Sequence, residues 1–325
     1  MNRGEFLRTL TAGLAALAAL PRAEAQNFPR GPLRLIVPFP PGGGTDILAR
    51  LVTQTVAEKT GWTFVIDNKA GAGGTLGLDQ LAKAAPDGQT FGLGQTANLA
   101  IAPSLYAKLP YQPLLAFAPV GSVATQPNVL IVRADTPYRT FAEFIAAARA
   151  APSNMTLGSP GTGTIGHLAG ELLARRAGFK VIHVPYKGTG PAVTDVVSGQ
   201  LDFVLTTPPG VMSLIKAGKL RALAVTSPKR LAALPSVPTV SESGFAGFVA
   251  EDWKALLAPA GTPPAILATM NTALNEALRN TALVEKLESE GSIALGGTSA
   301  ELAVLMKAET ERWGEAVRAS GAKAE

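Results

Sequence analysis

Three glycine-rich loops hold the residues best suited to chemistry, and that chemistry is the holding of an anion. They are Pro38-Phe39-Pro40-Pro41-Gly42-Gly43-Gly44-Thr45-Asp46, Gly71-Ala72-Gly73-Gly74-Thr75 and Gly158-Ser159-Pro160-Gly161-Thr162-Gly163-Thr164-Ile165-Gly166-His167. Each follows an apolar run and precedes a helical pattern. Glycine lacks a Cβ, so the main chain can approach a ligand closely. The first N–H groups of a helix have no partner within it and sit at the positive end of its dipole. The dipole contributes roughly 0.3–1 kcal/mol and each hydrogen bond to a charged group about 1.5–3 kcal/mol. A few such bonds are enough for micromolar capture of a carboxylate, about 8 kcal/mol. The plainer reading of any one loop is a tight turn. Three of the same design argue for a shared guest.

The other constellations are poor in catalytic groups. Gly161, Gly163 and Gly166 match the G-x-G-x-x-G spacing of dinucleotide sites, but the acid expected about 20 residues on is replaced by Pro185-Tyr186-Lys187-Gly188. No G-x-S-x-G elbow, phosphate-binding G-x-x-x-x-G-K-[ST] loop or H-E-x-x-H pair occurs. His167 at a helix start either donates to a ligand or bonds a nearby carbonyl, and His183 reads as a core residue of a strand. Asp46 reads foremost as a favourable charge at a helix start. Phe39 and Tyr186 either wall a cleft or simply pack. With no cysteine and only two histidines, the chain has no disulfide, thiolate nucleophile, cysteine-held zinc or lipid-bearing cysteine, and no metal site is expected. An enzyme using His167 is the weaker alternative. No cofactor is expected.

The elements that must position these loops are legible as alternation. Short apolar runs at 33–37, 63–66, 91–94, 129–132, 155–157, 181–184, 201–205, 220–225 and 253–258 read as strands, with a last short one near Ile293. Between them, helical spacing recurs after Asp46, after Gly74, over 141–150 and 167–177, and after Pro191. Two further helices are expected over 264–279 and 300–320, and Thr45 and Asp46 read as capping residues. The alternation predicts an α/β protein of parallel sheets with helices on both faces. Ligands bind such sheets at the carboxyl ends of the strands. Boundaries fall near Asn128 and Phe248, giving one lobe of residues 26–127 with 249–325 and a second of 128–248. A chain that crosses out and returns makes a two-stranded hinge with a cleft between the lobes.

The 325 residues are 47% hydrophobic and 16% charged, as in a packed globular protein. A net charge of +5 without a basic run does not indicate nucleic acid. Residues 1–25 read as a secretory signal. Arg3 and Arg8 precede an apolar stretch, Pro21 breaks it, and Ala23-Glu24-Ala25 offers a cleavage site. The protein is therefore expected in the periplasm, soluble, after cleavage following Ala25.

Several motifs resemble a known family. They are the 38–46 loop with Ala49-Arg50, Asp67-Asn68-Lys69-Ala70-Gly71-Ala72-Gly73-Gly74, Ala85-Pro86-Asp87-Gly88, His183-Val184-Pro185-Tyr186-Lys187-Gly188 with Gly190-Pro191, and 235–239. In order, they look like a Bug-type substrate-binding protein of the tripartite tricarboxylate transporters, from about Pro32 to Trp313. The resemblance implies a type II periplasmic-binding-protein fold with two lobes. It implies no enzymatic activity, and a small organic acid as ligand. The acid would be handed to membrane permease subunits, with no nucleic acid involved and the receptor a monomer. A sensor that presents its closed form to a receptor kinase is the alternative. The implied ligand contacts are Phe39, Gly43, Gly44, Thr45 and Asp46 in the first loop and Ala72 and Gly73 in the second. Ser159, Thr162, Gly163, Thr164 and His167 follow in the third. Thr96, Tyr186 and Thr207 belong to a cleft wall that sets specificity. The family spans many acids and does not name the solute.

Overall fold

The computed structural model describes residues 28–151 and 155–320, so the expected signal segment lies outside the described residues. Two sheets form the two lobes. The first contains β1 (Leu33–Val37), β2 (Phe64–Asn68), β3 (Thr90–Gln95) and β4 (Phe117–Pro127). The second contains β5 (Val129–Arg133), β6 (Met155–Ser159), β7 (Val181–Pro185), β8 (Phe203–Thr206) and β9 (Leu220–Val225). The chain then returns to the first sheet with β10 (Glu251–Pro259) and β11 (Ile293–Gly296). The strand orders are β11-β4-β10-β3-β1-β2 and β7-β6-β8-β5-β9.

The sheets are mixed, which corrects the expectation of purely parallel ones. β1 pairs in parallel with β2 and β3, but β10 runs antiparallel between β3 and β4, and β5 runs antiparallel to β8 and β9. The antiparallel strands are the ones that carry the chain between lobes. β4 runs straight into β5 through Asn128, and β10 comes back beside β4. The expected strand list lacked β4 because Pro119 and Gly121 look like breakers. They sit opposite Leu257 and Leu256, where the pairing register shifts, a place where such residues are tolerated.

Two crossings are stitched together at one point. Asn128 N–H donates to Thr226 Oγ1 (2.8 Å), and Thr226 N–H donates back to the Asn128 carbonyl (2.9 Å). Ala250 N–H donates to the Thr226 carbonyl (3.0 Å). Thr226 is fully buried.

The helices are α1 (Gly44–Thr60), α2 (Thr75–Ala82), α3 (Ala102–Leu105), α4 (Pro113–Ala116), α5 (Phe141–Ala150), α6 (Ile165–Ala177), α7 (Thr189–Ser198), α8 (Met212–Lys216), α9 (Pro264–Leu278), α10 (Thr281–Ser289) and α11 (Ser299–Ser320). A π-helical turn, Ala97–Ile101, precedes α3. Side chains alternate along the strands, so each sheet has two apolar faces. Leu33, Leu35 and Val37 join Leu48, Val52, Met270 and Leu274 under α1 and α9. Ile36 faces the other way, into a cluster that runs through Leu99, Trp253, Met306 and Trp313 to Leu157, Leu168 and Phe203 of the second lobe. α11 packs on β4 and the π-turn and also touches α6, so it bears on both lobes.

Close packing of α6 on β8 rests on one glycine. A Cβ at Gly166 would lie 2.1 Å from the Leu205 carbonyl oxygen, whereas one at Gly190 would meet nothing within 4 Å. Gly166→Ala should lower the unfolding free energy by at least about 2 kcal/mol, since backbone must move. Gly190→Ala should leave it unchanged or raise it by about 0.5 kcal/mol. Urea denaturation of the two variants checks the contrast.

Candidate functional site

α1 begins without a side-chain cap. Gly43 at its N-cap is extended, and the first bond of the helix runs from Ile47 N–H to the Gly43 carbonyl (3.0 Å). The N–H groups of Gly44, Thr45 and Asp46 therefore have no partner among the described residues. Thr45 and Asp46 lie inside the first turn rather than capping it. The Asp46 carboxylate instead folds back. It accepts from Gly42 N–H, Arg50 Nε and Asn68 Nδ2, each at 2.9 Å. Burial would raise its pKa, but these bonds outweigh burial and hold it below the usual carboxylate value. Asp46 builds the turn and does not line the cavity described below.

Two helix starts in the second lobe face this one. At α6, Thr164 is the N-cap; its Oγ1 donates to the Gly161 carbonyl (2.8 Å) and accepts weakly from His167 N–H (3.4 Å). The N–H groups of Ile165 and Gly166 are left over. At α7, Gly188 adopts φ +117° and its N–H donates to the Pro160 carbonyl (2.9 Å), which ties the two starts together. Thr189 Oγ1 lies 3.0 Å from Thr206 Oγ1.

The three starts meet at a small cavity between the lobes. Phe39, Pro40, Gly43, Gly44, Thr45, Gln95 and Asp252 line it from the first lobe, and Asn128 from the crossing. Pro160, Thr164, Ile165, Gly166, Thr189, Thr206 and Thr207 line it from the second. No lysine, arginine or histidine is among them, so the positive potential comes from peptide N–H groups. The walls are close: a Cβ at Gly44 would stand 2.2 Å from Thr207 Oγ1.

Of the expected contacts, Phe39, Gly43, Gly44, Thr45, Thr164 and Thr207 come together at this cavity. The others sit around it. The second glycine loop forms an interlobe contact instead: Gly73 lies against the Thr162 carbonyl, where a Cβ would approach to 2.7 Å. Two of its amides are spent within the turn, Gly74 N–H on the Gly71 carbonyl and Thr75 N–H on that of Ala72, which is held at φ +47°, while those of Ala72 and Gly73 have no partner among the described residues. Thr96 Oγ1 accepts from Trp253 N–H (3.0 Å), joining β3 to β10. Ser159 Oγ donates to the Gly161 carbonyl (3.1 Å) and lies 2.7 Å from His183 Nε2. Gly163 N–H donates to His167 Nδ1 (3.1 Å), so His167 bears its proton on Nε2, 3.0 Å from Glu171 Oε1. The His167 and His183 rings stack at 3.7 Å. Tyr186 donates to Asp195 Oδ2 at the outer end of β7, and its phenol is pushed up to about 12 by burial and that carboxylate.

Sequence reasoning missed Asn128, Thr189, Asp252 and Lys254 as site residues. The last two form a buried pair. Lys254 Nζ donates to Asp252 Oδ2 (2.5 Å), Gln95 Nε2 also reaches that oxygen (3.2 Å), and Thr45 Oγ1 donates to Gln95 Oε1 (2.7 Å). Lys254 is fully buried, which pushes its ammonium pKa down, with Asp252 opposing. The signal was present: two opposite charges two residues apart on an otherwise apolar strand share one face.

A family model described as tripartite tricarboxylate transporter family receptor matches residues 48–322. Protein BugT of Bordetella pertussis is 38% identical over 324 residues, covering 99% of each chain. A solved R. palustris protein with adipate is 34% identical, covers 90% of this chain with 98% of its own, and superposes with a TM-score of 0.88. MatC from Rhodopseudomonas palustris with bound malate is 33% identical, with coverage of 89% and 100% and a TM-score of 0.83.

The histidine stack makes stability depend on pH. Burial, aided by His167 and opposed by Glu171, pulls the His183 imidazole from its ordinary 6.5 down to about 4. Between those values the unfolded chain binds the extra proton and the folded chain does not. Stability should be full above pH 6.5 and fall as pH drops toward 4, by no more than about 1.4 kcal/mol per pH unit. Denaturation midpoints at pH 7, 5.5 and 4.5 should show this slope in the wild type and a flatter one in His183→Gln.

Proposed function

The chain belongs to the tripartite tricarboxylate transporter receptor family, and we propose that it captures a small organic acid in the cavity between its lobes and delivers it to the permease subunits of such a transporter. The observation that carries this is the meeting of three helix starts, with unpartnered N–H groups, at a cavity that no basic side chain lines. A carboxylate there accepts from Gly44 and Thr45 on one side and from Ile165 and Gly166 on the other, so it bridges the lobes. The adipate and malate held by the two R. palustris relatives are acids of this kind.

Binding without turnover fits the groups at hand. The lining offers hydroxyls, amides and the Asp252 carboxylate, one oxygen of which is bonded by Lys254. The rings of His167 and His183 bond within the second lobe, away from the cavity lining. The lobes are residues 26–127 with 249–325 and residues 128–248, hinged at Asn128 and Ala250. The working form is a periplasmic monomer, processed after Ala25, with no cofactor. Intact-mass measurement of protein from the periplasm checks the processing site.

Ligand binding to the folded state alone must stabilise it, by about 2.7 kcal/mol at a hundred times Kd. Thermal unfolding across a panel of mono-, di- and tricarboxylates should therefore pick out at least one acid, and native mass spectrometry should find that acid on the purified protein. A panel without any shift overturns the reading. Gly44→Ala places a methyl against Thr207 and should weaken binding at least about tenfold, roughly one charge-assisted hydrogen bond. Thr207→Ala in the same chain removes the 2.2 Å clash and should recover most of the loss by calorimetry.

A further inference from the structure

Two buried polar atoms of the cavity lining have no hydrogen-bond partner among the described residues: Asp252 Oδ1 and Asn128 Nδ2. Asp252 is 4% exposed and Asn128 2% exposed. Burying a polar atom unbonded is costly, and natural proteins rarely do so without a reason. The surroundings of Asp252 leave its Oδ1 free by design of the strand. Lys254 Nζ and Gln95 Nε2 both approach Oδ2, from the same face of β10 and from the end of β3. Oδ1 is left as a buried acceptor without a partner among the described residues, on a residue that lines the same cavity as the N–H donors of the helix starts.

A simple carboxylate satisfies the donors and repels Oδ1. An acid that also bears a hydrogen-bond donor satisfies both. The donor's charge is decided by Lys254. Its ammonium already balances Asp252 at 2.5 Å, so the pair is neutral overall. A second ammonium brought beside it would be a buried, uncompensated cation, which is strongly unfavourable. A hydroxyl adds no charge, donates through its hydrogen, and still accepts through its oxygen, which is what the Asn128 amide can supply.

We propose that the solute is a hydroxycarboxylate, and that Asp252 selects it by accepting a hydrogen bond from its hydroxyl. This rests on the reading of the cavity as an organic-acid site and names the chemical class within it. Asp252 is then a specificity determinant, and Lys254 a positioning residue that fixes which carboxylate oxygen remains free and excludes amino acids.

Calorimetry on the wild-type protein with matched pairs tests it: glycolate with acetate, lactate with propionate, malate with succinate, and citrate with propane-1,2,3-tricarboxylate. In the pair that binds, the hydroxy acid should be tighter by about tenfold or more, one hydrogen bond to a charged acceptor. Aspartate should bind more weakly than malate. In Asp252→Leu/Lys254→Met, which replaces the ion pair by apolar groups of similar size, the hydroxy preference should fall close to one. The ratio within a pair is the readout, so a general change in affinity does not decide the outcome. Equal affinities within the wild-type pairs, a preference for aspartate, or a ratio that survives in the double variant would each overturn the proposal and leave the acid-binding reading standing. If no acid of either kind binds, the reading of the site itself fails, and the hydroxy-acid assignment with it. The wild-type ratios need no variant to fold.

Discussion

A helix start must leave N–H groups without internal partners, and a protein that buries three such starts against one cavity needs something negative, or water, between them. That constraint organises this structure. α1 from one lobe and α6 and α7 from the other point their first turns at the same space. None of the three draws its cap from an acidic side chain: Gly43, Thr164 and Gly188 hold those places. The one acid in the first turn of α1, Asp46, stays out of the cavity lining and is tied to Arg50, Asn68 and Gly42. An acidic cap aimed inward would satisfy the amides permanently and leave no work for a ligand. The placement of Asp46 stiffens the turn while keeping its amides available.

Charge is managed in the same way. A fixed cation in the lining would hold an acid strongly in the open state and resist release. The one buried lysine near the site among the described residues, Lys254, is neutralised by Asp252 on the same face of β10. Attraction is thus left to main-chain dipoles from both lobes, and it is complete only when the lobes are together. The glycine at position 44 matters for that reason: the interlobe gap beside it is too narrow for any side chain. One carboxylate can accept from both lobes because these helix starts face each other across the cavity.

How much of this was legible in the sequence follows from what each signal depends on. The first and third glycine loops were found because strand, glycines and helix are contiguous, and local order alone brings those amides to a strand end. The second loop has the same local order, yet Gly74 and Thr75 spend their amides in a 3-10 turn and its backbone rests on Thr162 of the other lobe. No local pattern tells a turn that spends its amides internally from one that leaves them free. Pro185–Thr189 became the third helix start at the cavity because Gly188 N–H bonds to the Pro160 carbonyl, a contact between loops 28 residues apart. His167 had the right position for a ligand contact but is engaged by Gly163 and Glu171, one partner before it and one a turn after. β4 was hidden by Pro119 and Gly121, which are tolerated because they flank Val120, the extra residue where β4 bulges against Leu256 and Leu257 of β10, a partner distant in the sequence.

The hinge completes the argument. Motion between lobes requires that the connections bend without losing buried hydrogen bonds. Here the bonds at the crossing are made among the crossing segments themselves, by Asn128, Thr226 and Ala250, so they can move as one piece. Asn128 also places its side chain in the cavity lining. The same residue thus holds the two strands in register and offers Nδ2 to the guest. A ligand bonded to it touches the pivot directly, while one bonded to α1 and α6 touches the two arms. α11 bears on both lobes, with its apolar face on β4 and the π-turn of one and a contact to α6 of the other. Main-chain donors from both lobes thus face the guest, with no basic side chain in the lining.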